Sequence, residues 1–481
     1  MHTLIKKTKK VKPNANILYL LKAAAELDNI PLEKKEREYV ASQFEKTERT
    51  TFYFNRLTHW LVVCLMRDDS KGNEFKTLET LRKAGDKTAS FLNESKEEEV
   101  TLHEGSMENA YVLAFAEGMA LGNYQFNKYR PSAKSNSLKT IYIFGESLTP
   151  GQVNELNHLV EACYHCRDLV NEPYGNLDAV QFADFVAKMS RSVGIKAEVL
   201  NKSRITALKM EGLLAVNRGS KTHPSFTVLE WKPEGAKNVK PIVLVGKGVV
   251  FDTGGLSLKP PSGMETMKQD MAGAATVFAT LYALAKNKVP LHVVGLLPAT
   301  DNRPGDLAVA PGDVIRMVNG KTVEVVNTDA EGRLIMADAL IYAERFEPEL
   351  AIDVATLTGS ATAAIGKHGM AGMHQDAEND MALLKDSGWA VYERIAEFPF
   401  WEEYGKDIES DVADIKNISG TRSGGVITAG KFLSHFISYP WIHLDIAGVA
   451  FMDGRESYRG KGASGMGTRL LYHFISRKAG G

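Results

Sequence analysis

Cysteine is scarce in this chain: 481 residues hold three, Cys64, Cys163 and Cys166. Three thiols make no disulfide framework, and a reducing compartment, the cytoplasm, is the expected location. Cys163 and Cys166 form a CxxC, but no second ligand pair accompanies them and they lie in a stretch of helical character, Val153–Val170. Two buried thiols on one helix are expected there rather than a zinc or redox centre. Long apolar runs are also missing, none nearing the roughly 20 residues that a membrane-spanning helix requires. The basic start MHTLIKKTKKVKPN runs into Asn and Pro, and Ile17–Ala25 holds Lys22 and lacks a small-residue cleavage site, so no secretory signal is expected. Net charge is nearly absent: 58 basic residues face 59 acidic ones. That balance gives no general attraction to nucleic acid or to an anionic membrane.

At 481 residues the chain is too long for one ordinary core. Two α/β domains are expected, a small one over residues 1–150 and a larger one over 171–481, joined by a helix over 151–170. In the first, residues 15–45 read as two helices, with Ile17, Leu18, Leu21 and Ala24 at helical spacing and Pro31 opening a charged second segment. Trp60–Met66 reads as a buried strand bounded by Arg67–Asp69, and Leu138–Phe144 as a closing strand. Asn109–Asn123 reads as a helix whose Gly118 and Gly122 suit close packing, and the acidic run Glu97–Glu99 as a solvated turn. In the second domain, strands at Ala197–Leu200, Ser225–Leu229, Ile242–Val245, His292–Leu297 and Leu350–Leu357 alternate with helices at Ala179–Val193, Ala272–Asn287 and Leu334–Phe346. This is the pattern of a sheet covered on both faces, where functional groups gather in loops at the carboxyl ends of the strands.

In Val326–Ala343, VNTDAEGRLIMADALIYA, Asp329, Glu331 and Arg333 alternate just before an apolar helical run, so two carboxylates and a guanidinium crowd one turn. Two acids and a guanidinium crowded against a core are costly unless a cation meets the acids and an anion meets the arginine. Read alone, the stretch also suits a solvated loop whose acids sit near a helix N-terminus. A second stretch, Val245–Ala275, brings Lys247, Asp252, Lys259 and Asp270 after the strand Pro241–Val245. Carboxylates with few histidines and no cysteine nearby suit a hard or borderline divalent cation. Gly246–Gly248, GKG, lacks P-loop spacing and reads as a tight turn. By itself Lys247 reads as a surface lysine, His292 and His443 as core histidines, and Asp445 as a local cap or pair. The glycine-rich Gly420–Gly430 borders either the cleft or a subunit contact.

Asn327–Leu334 (NTDAEGRL), Val245–Lys259 (VGKG, FDTGG and a lysine) and Met267–Met271 (MKQDM) resemble the signature segments of the leucyl (cytosol) aminopeptidase family of two-metal exopeptidases. Gly212–Ser220 (GLLAVNRGS) and His443–Gly448 (HLDIAG) extend the likeness over the C-terminal two thirds, while the N-terminal third matches only in outline, through Phe115–Tyr129. The resemblance implies an α/β/α sandwich with a mixed sheet carrying a di-metal site. It implies a cytoplasmic enzyme that removes apolar residues such as leucine from peptides with a free N-terminus, assembled as a homo-hexamer. Lys247, Asp252, Asp270 and Glu331 would hold one divalent ion, zinc or manganese, and Asp252, Asp329 and Glu331 its neighbour. Lys259 would stabilise the oxyanion, and Arg333 with the backbone amides near Gly332 and Leu357 would bind a bicarbonate acting as general base. Met267, Thr356 and Gly359 would line the pocket for the first side chain. Thr253 stands where the family usually has serine and Pro260-Pro261 follow Lys259, but neither departure removes a ligand. Two other readings stay open: a dipeptidase acting on Cys-Gly or a similar substrate, and a DNA-binding protein on the same scaffold. For the latter, the basic run Lys6–Lys12 is the supporting patch, and the balanced net charge argues against it.

Overall fold

The computed structural model describes residues 3–67, 72–421 and 423–480, so the expected boundary Arg67–Asp69 runs partly outside the described residues. The chain divides into two compact units, Met1–Tyr164 with Arg455–Gly460, and His165–Gly454 with Lys461–Gly481. The division falls inside the helix Pro150–Asn171, which carries Cys163 and Cys166, both buried.

In the first unit six strands form one sheet in the order β1 (Leu4–Thr8), β6 (Thr140–Phe144), β5 (Glu99–His103), β2 (Ile17–Leu21), β4 (Trp60–Leu65) and β3 (Thr51–Asn55). All pairs are parallel except β3 with β4. Ile17–Leu21 is therefore a strand and not the helix that its spacing suggests. Leu18 and Leu20 enter one apolar cluster while Leu21 enters another, so both faces of the segment are buried. A short, continuous apolar run is the mark of such a two-sided strand and carries no period by which to tell it from a helix. The second expected helix is present, at Lys34–Lys46. β1 lies at the sheet edge with Ile5 buried, and its Lys7 pairs with Glu104. The helices Glu74–Glu94 and Asn109–Gly122 meet through glycine: a Cβ on Gly118 would lie 1.9 Å from Arg82 O, and one on Gly85 2.2 Å from Phe115 O. Tyr458 donates to Glu79 Oε2 at 2.7 Å, tying Arg455–Gly460 into this unit.

The second unit is built on a mixed sheet in the order β16 (Ile395–Glu397), β15 (Met370–Gln375), β18 (Trp441–Asp445), β14 (Leu350–Ala355), β9 (Ile242–Gly246), β11 (Val293–Asn302), β8 (Ser225–Trp231) and β7 (Lys196–Leu200). The central four, β18, β14, β9 and β11, are parallel, and β10 (Gly248–Asp252) joins them beside β11. β15, β8 and β7 run antiparallel to their inner neighbours. Val243 and Val245 enter a cluster with Leu334, Ala337 and Leu340 of the helix Gly332–Ala343. Gly246, at the opposite parity, faces the helix Ala272–Lys286: a Cβ there would lie 2.5 Å from Ala274 Cα. The strand alternation thus sends successive residues of β9 into two helical layers.

Gly246–Gly248 is no tight turn; β9 ends at Gly246, β10 begins at Gly248, and Lys247 sits between them. Its backbone is bonded on both sides, N–H to Val354 O at 3.0 Å and O from Ala274 N at 2.9 Å. The glycines serve close packing, since a Cβ on Gly248 would lie 2.4 Å from Pro298 O. Because the central strands are parallel, Lys247, Asp252, Asn302, Thr356 and Asp445 all fall at strand carboxyl ends, which is where a site in an open α/β sheet is built.

Candidate metal centre

Three local devices bring the polar side chains together. After β10 the chain turns through Gly254 and Gly255, with φ of +85° and +64°, a conformation that costs glycine little and other residues more. Lys259 N–H then bonds Thr253 O at 2.9 Å, returning the lysine over Asp252. A 3₁₀ turn at Met267–Met271 presents Asp270 just before the helix Ala272–Lys286. Asp329 and Glu331 precede the helix Gly332–Ala343, where Asp329 N–H donates to Asn327 Oδ1 at 2.8 Å.

Oxygens of Asp252, Asp329 and Glu331 all lie within 4.8 Å of one another. Lys247 Nζ stands 2.8 Å from Asp270 Oδ1 and 2.9 Å from Glu331 Oε1, and donates to Thr356 O at 2.9 Å. Lys259 Nζ stands 2.8 Å from Asp252 Oδ2 and 2.5 Å from Asp329 Oδ1. Thr356 Oγ1 donates to Asp270 Oδ1 at 2.7 Å, whereas Asp270 Oδ2 is buried with no hydrogen-bond partner among the described residues. The five residues expected to hold metal, together with Lys259, therefore form one cluster.

Four carboxylates face two ammonium groups here, an excess of two negative charges in a mostly buried space. Burial pushes the Asp252 carboxyl up to about 6 and raises Asp270 and Asp329 above the ordinary carboxylate range. Burial would also lower the Lys247 pKa, but Asp270, Glu331 and Asp252 outweigh it and raise it; Asp252 and Glu331 do the same for Lys259. Glu331 alone moves down, burial being overcome by Lys247 and Lys259. The carboxyls rise chiefly because burial disfavours their charge, and the lysines rise because the acids around them outweigh burial. Oxygen donors in excess, with one buried oxygen unpartnered, fit divalent cations.

Arg333 is buried, donates from Nη1 to Asn417 O at 2.7 Å, and has no hydrogen-bond partner for Nε among the described residues. Burial brings its pKa down to about 10. Such a guanidinium, at the head of a helix, is fitted to receive an anion. Gly332 begins that helix, while the Leu357 amide already donates to Asp445 Oδ1 at 3.1 Å. Met267 is half-buried in the 3₁₀ turn that carries Asp270, Thr356 is buried beside Asp270, and Gly359 is exposed at the head of the helix Gly359–Ile365.

Several supporting residues escaped the sequence reading. Asn302 Nδ2 donates to Asp252 Oδ1 at 2.8 Å and to Thr328 O at 3.0 Å, joining the two acid-bearing loops. Asn417 Oδ1 accepts from Val326 N–H at 2.8 Å and its Nδ2 donates to Asn327 O at 2.7 Å. The one signal for Asn302 is its place after Asp301 at the end of an apolar, buried strand. The histidines behave as expected of core residues: His443 Nδ1 bonds Asp353 Oδ1 at 2.6 Å and His292 Nε2 bonds Glu230 Oε1 at 3.1 Å.

Residues 164–472 match the cytosol aminopeptidase family, catalytic domain. The chain is 43% identical over 372 residues to a probable cytosol aminopeptidase of Geobacter sulfurreducens, covering 76% of this chain and 74% of that one. Among solved structures it is similar to the bottromycin maturation enzyme BotP in complex with Mn, at 30% identity and a TM-score of 0.84, over 97% of this chain and all of that one (100%). It is also similar to a mutant of tomato leucine aminopeptidase, at 25% identity and a TM-score of 0.85, over 99% of this chain and 96% of the other.

Proposed function

Because the chain belongs to the cytosol aminopeptidase family, and is thereby a metal-dependent aminopeptidase acting on peptides, we propose that it works with two divalent ions and prefers apolar N-terminal residues such as leucine. The observation that carries the two-ion reading is the convergence of Asp252, Asp329 and Glu331 within 4.8 Å, flanked by Asp270 and by two lysines. Lys247, Asp252, Asp270 and Glu331 would hold one ion, zinc or manganese, and Asp252, Asp329 and Glu331 the other. Lys247 would have to give up its proton, which divalent charge beside it favours. When bound, such ions lower the pKa of water and polarise a peptide carbonyl.

The chain's own groups supply the rest. Lys259, at 17% exposure the more open of the two lysines, brings positive charge to where the substrate carbonyl oxygen turns negative. Asp270, whose Oδ2 has no hydrogen-bond partner among the described residues, would stand beside the free α-amine, and that requirement would restrict cleavage to chain ends. Arg333 and the amide of Gly332 would hold bicarbonate as the base that accepts the proton of water; the Leu357 amide joins them only by leaving Asp445. Met267, Thr356 and Gly359 would border the first side chain, methionine suiting apolar groups of varied shape. A homo-hexamer in the cytoplasm is part of the same reading. No helix among the described residues is long and apolar enough to cross a membrane.

The test is hydrolysis of leucine p-nitroanilide and Leu-Gly by protein loaded with manganese or zinc, beside the N-acetylated substrates. Cleavage of the free amines alone supports the reading; no cleavage, or equal cleavage of acetylated substrates, overturns it. A panel including Cys-Gly separates the narrower dipeptidase. The DNA-binding alternative loses ground, since Lys7 pairs with Glu104 and Lys12 with Glu99.

A further inference from the structure

Building on that two-ion reading, we propose that Asp445 is a positioning residue: it fixes the loop Thr356–Thr358 and, through it, the arrangement of Lys247 and Asp270 that metal binding needs. Asp445 closes β18 directly opposite Ala355, the last residue of β14. The chain leaves β14 into the loop, and the first loop residue serves both groups at once. Thr356 O accepts from Lys247 Nζ at 2.9 Å, and Thr356 Oγ1 donates to Asp270 Oδ1 at 2.7 Å. Both contacts depend on how the Thr356 peptide is turned.

The next two residues hang from one carboxylate. Leu357 N–H donates to Asp445 Oδ1 at 3.1 Å, and the Thr358 hydroxyl donates to Asp445 Oδ2 at 2.7 Å. Ala447 N–H adds a further bond to Oδ1 at 3.1 Å. Asp445 is only 1% exposed, so these bonds act without competition from water. Both oxygens are directed at the loop or its immediate surroundings, and the carboxylate reaches Lys247 and Asp270 only through Thr356.

The strands below hold the carboxylate in place. Trp441 and His443 precede Asp445 at the two-residue spacing of one sheet face. Asp353, paired with His443 in register, accepts from Trp441 Nε1 at 2.7 Å and bonds His443 Nδ1 at 2.6 Å. β14 and β18 are thereby fastened to each other just beneath the loop, and the height of Asp445 above β14 is set by the sheet.

The test measures Mn²⁺ affinity of the full chain by titration calorimetry, with kcat and KM alongside, for the wild type, Asp445→Ala, Asp445→Asn, Thr358→Val and Thr358→Ser. Asp445→Ala is expected to weaken one of two ions by about tenfold to a hundredfold and lower kcat with little change in KM, while the other ion binds as before. Asp445→Asn keeps an acceptor for Leu357 and should recover most of the loss. Thr358→Val, which removes one bond, should show a smaller weakening of the same ion, and Thr358→Ser none. Wild-type affinity for both ions in Asp445→Ala and Thr358→Val overturns the role of Asp445 alone; should Asp445→Ala fail to fold, Thr358→Val decides. A wild type that does not bind two ions overturns the two-ion reading and this inference with it.

Discussion

A Cβ on Gly332 would lie 2.3 Å from Lys247 Cε and 2.6 Å from Lys247 Nζ. The glycine in NTDAEGRL is therefore the space through which the lysine reaches Asp270 and Glu331. The obstructed atoms belong to the far end of a flexible chain, so Gly332→Ala displaces the amine more easily than it disrupts the fold. The expected outcome is a stability loss within about 1–3 kcal/mol and a fall in kcat/KM of at least roughly tenfold. Thermal denaturation and peptide kinetics on one preparation check it; a variant with full activity would show that Lys247 need not sit where it does.

Arg333 meets no carboxylate within salt-bridge distance among the described residues, and its Nε is unpartnered. If it holds an anion that serves as base, Arg333→Ala should keep both metal ions and slow kcat by about a hundredfold. Bicarbonate, which should stimulate the wild type, should then have no effect. Unchanged turnover in the variant removes the anion pocket from the account.

Asp338 lies wholly buried in the helix that follows Glu331, accepting from Leu213 N–H at 2.9 Å, and burial raises its pKa to about 7. A carboxyl raised in the folded state stabilises most where it is protonated in both states. That contribution is complete below the ordinary carboxylate value of 3.8, and it is lost as pH rises through about 7. Urea denaturation from about pH 5 to about pH 8 should show the wild type losing more stability than Asp338→Asn, whose side chain does not ionise. Parallel curves would mean that Asp338 titrates alike in both states.

How much of this was legible beforehand depends on whether a residue's neighbours are close in sequence. The helix after Glu331 and the strand before Lys247 follow from local apolar patterning, and both appear at Gly332–Ala343 and Ile242–Gly246. The cluster itself is reached through resemblance, because Asp252 at a strand end and Asp270 and Glu331 just before two helices are far apart along the chain and meet only in the folded molecule. Ile17–Leu21 misled because burial on two faces erases the period that separates strand from helix. Gly246–Gly248 misled because glycine serves close packing as well as turns. Asn302 and Asn417 carry no local sign for a third reason: each acts by hydrogen bonds to partners dozens of residues away. Asp445, read as a local cap or pair, does accept from Ala447 N–H two residues on, and its bonds to Leu357 and Thr358 are the part that local sequence does not show.

The central claim is that Asp252, Asp270, Asp329 and Glu331, with Lys247, hold a pair of divalent ions. Its most direct test is the metal content of protein purified without chelator and loaded with manganese, measured for the wild type and for Glu331→Ala, with circular dichroism confirming the fold. About two ions per wild-type chain are expected, as for a two-metal site, together with a variant that stays folded while losing metal and activity together. A wild type that takes up no pair of ions, or a Glu331→Ala protein that keeps its full complement, would contradict it.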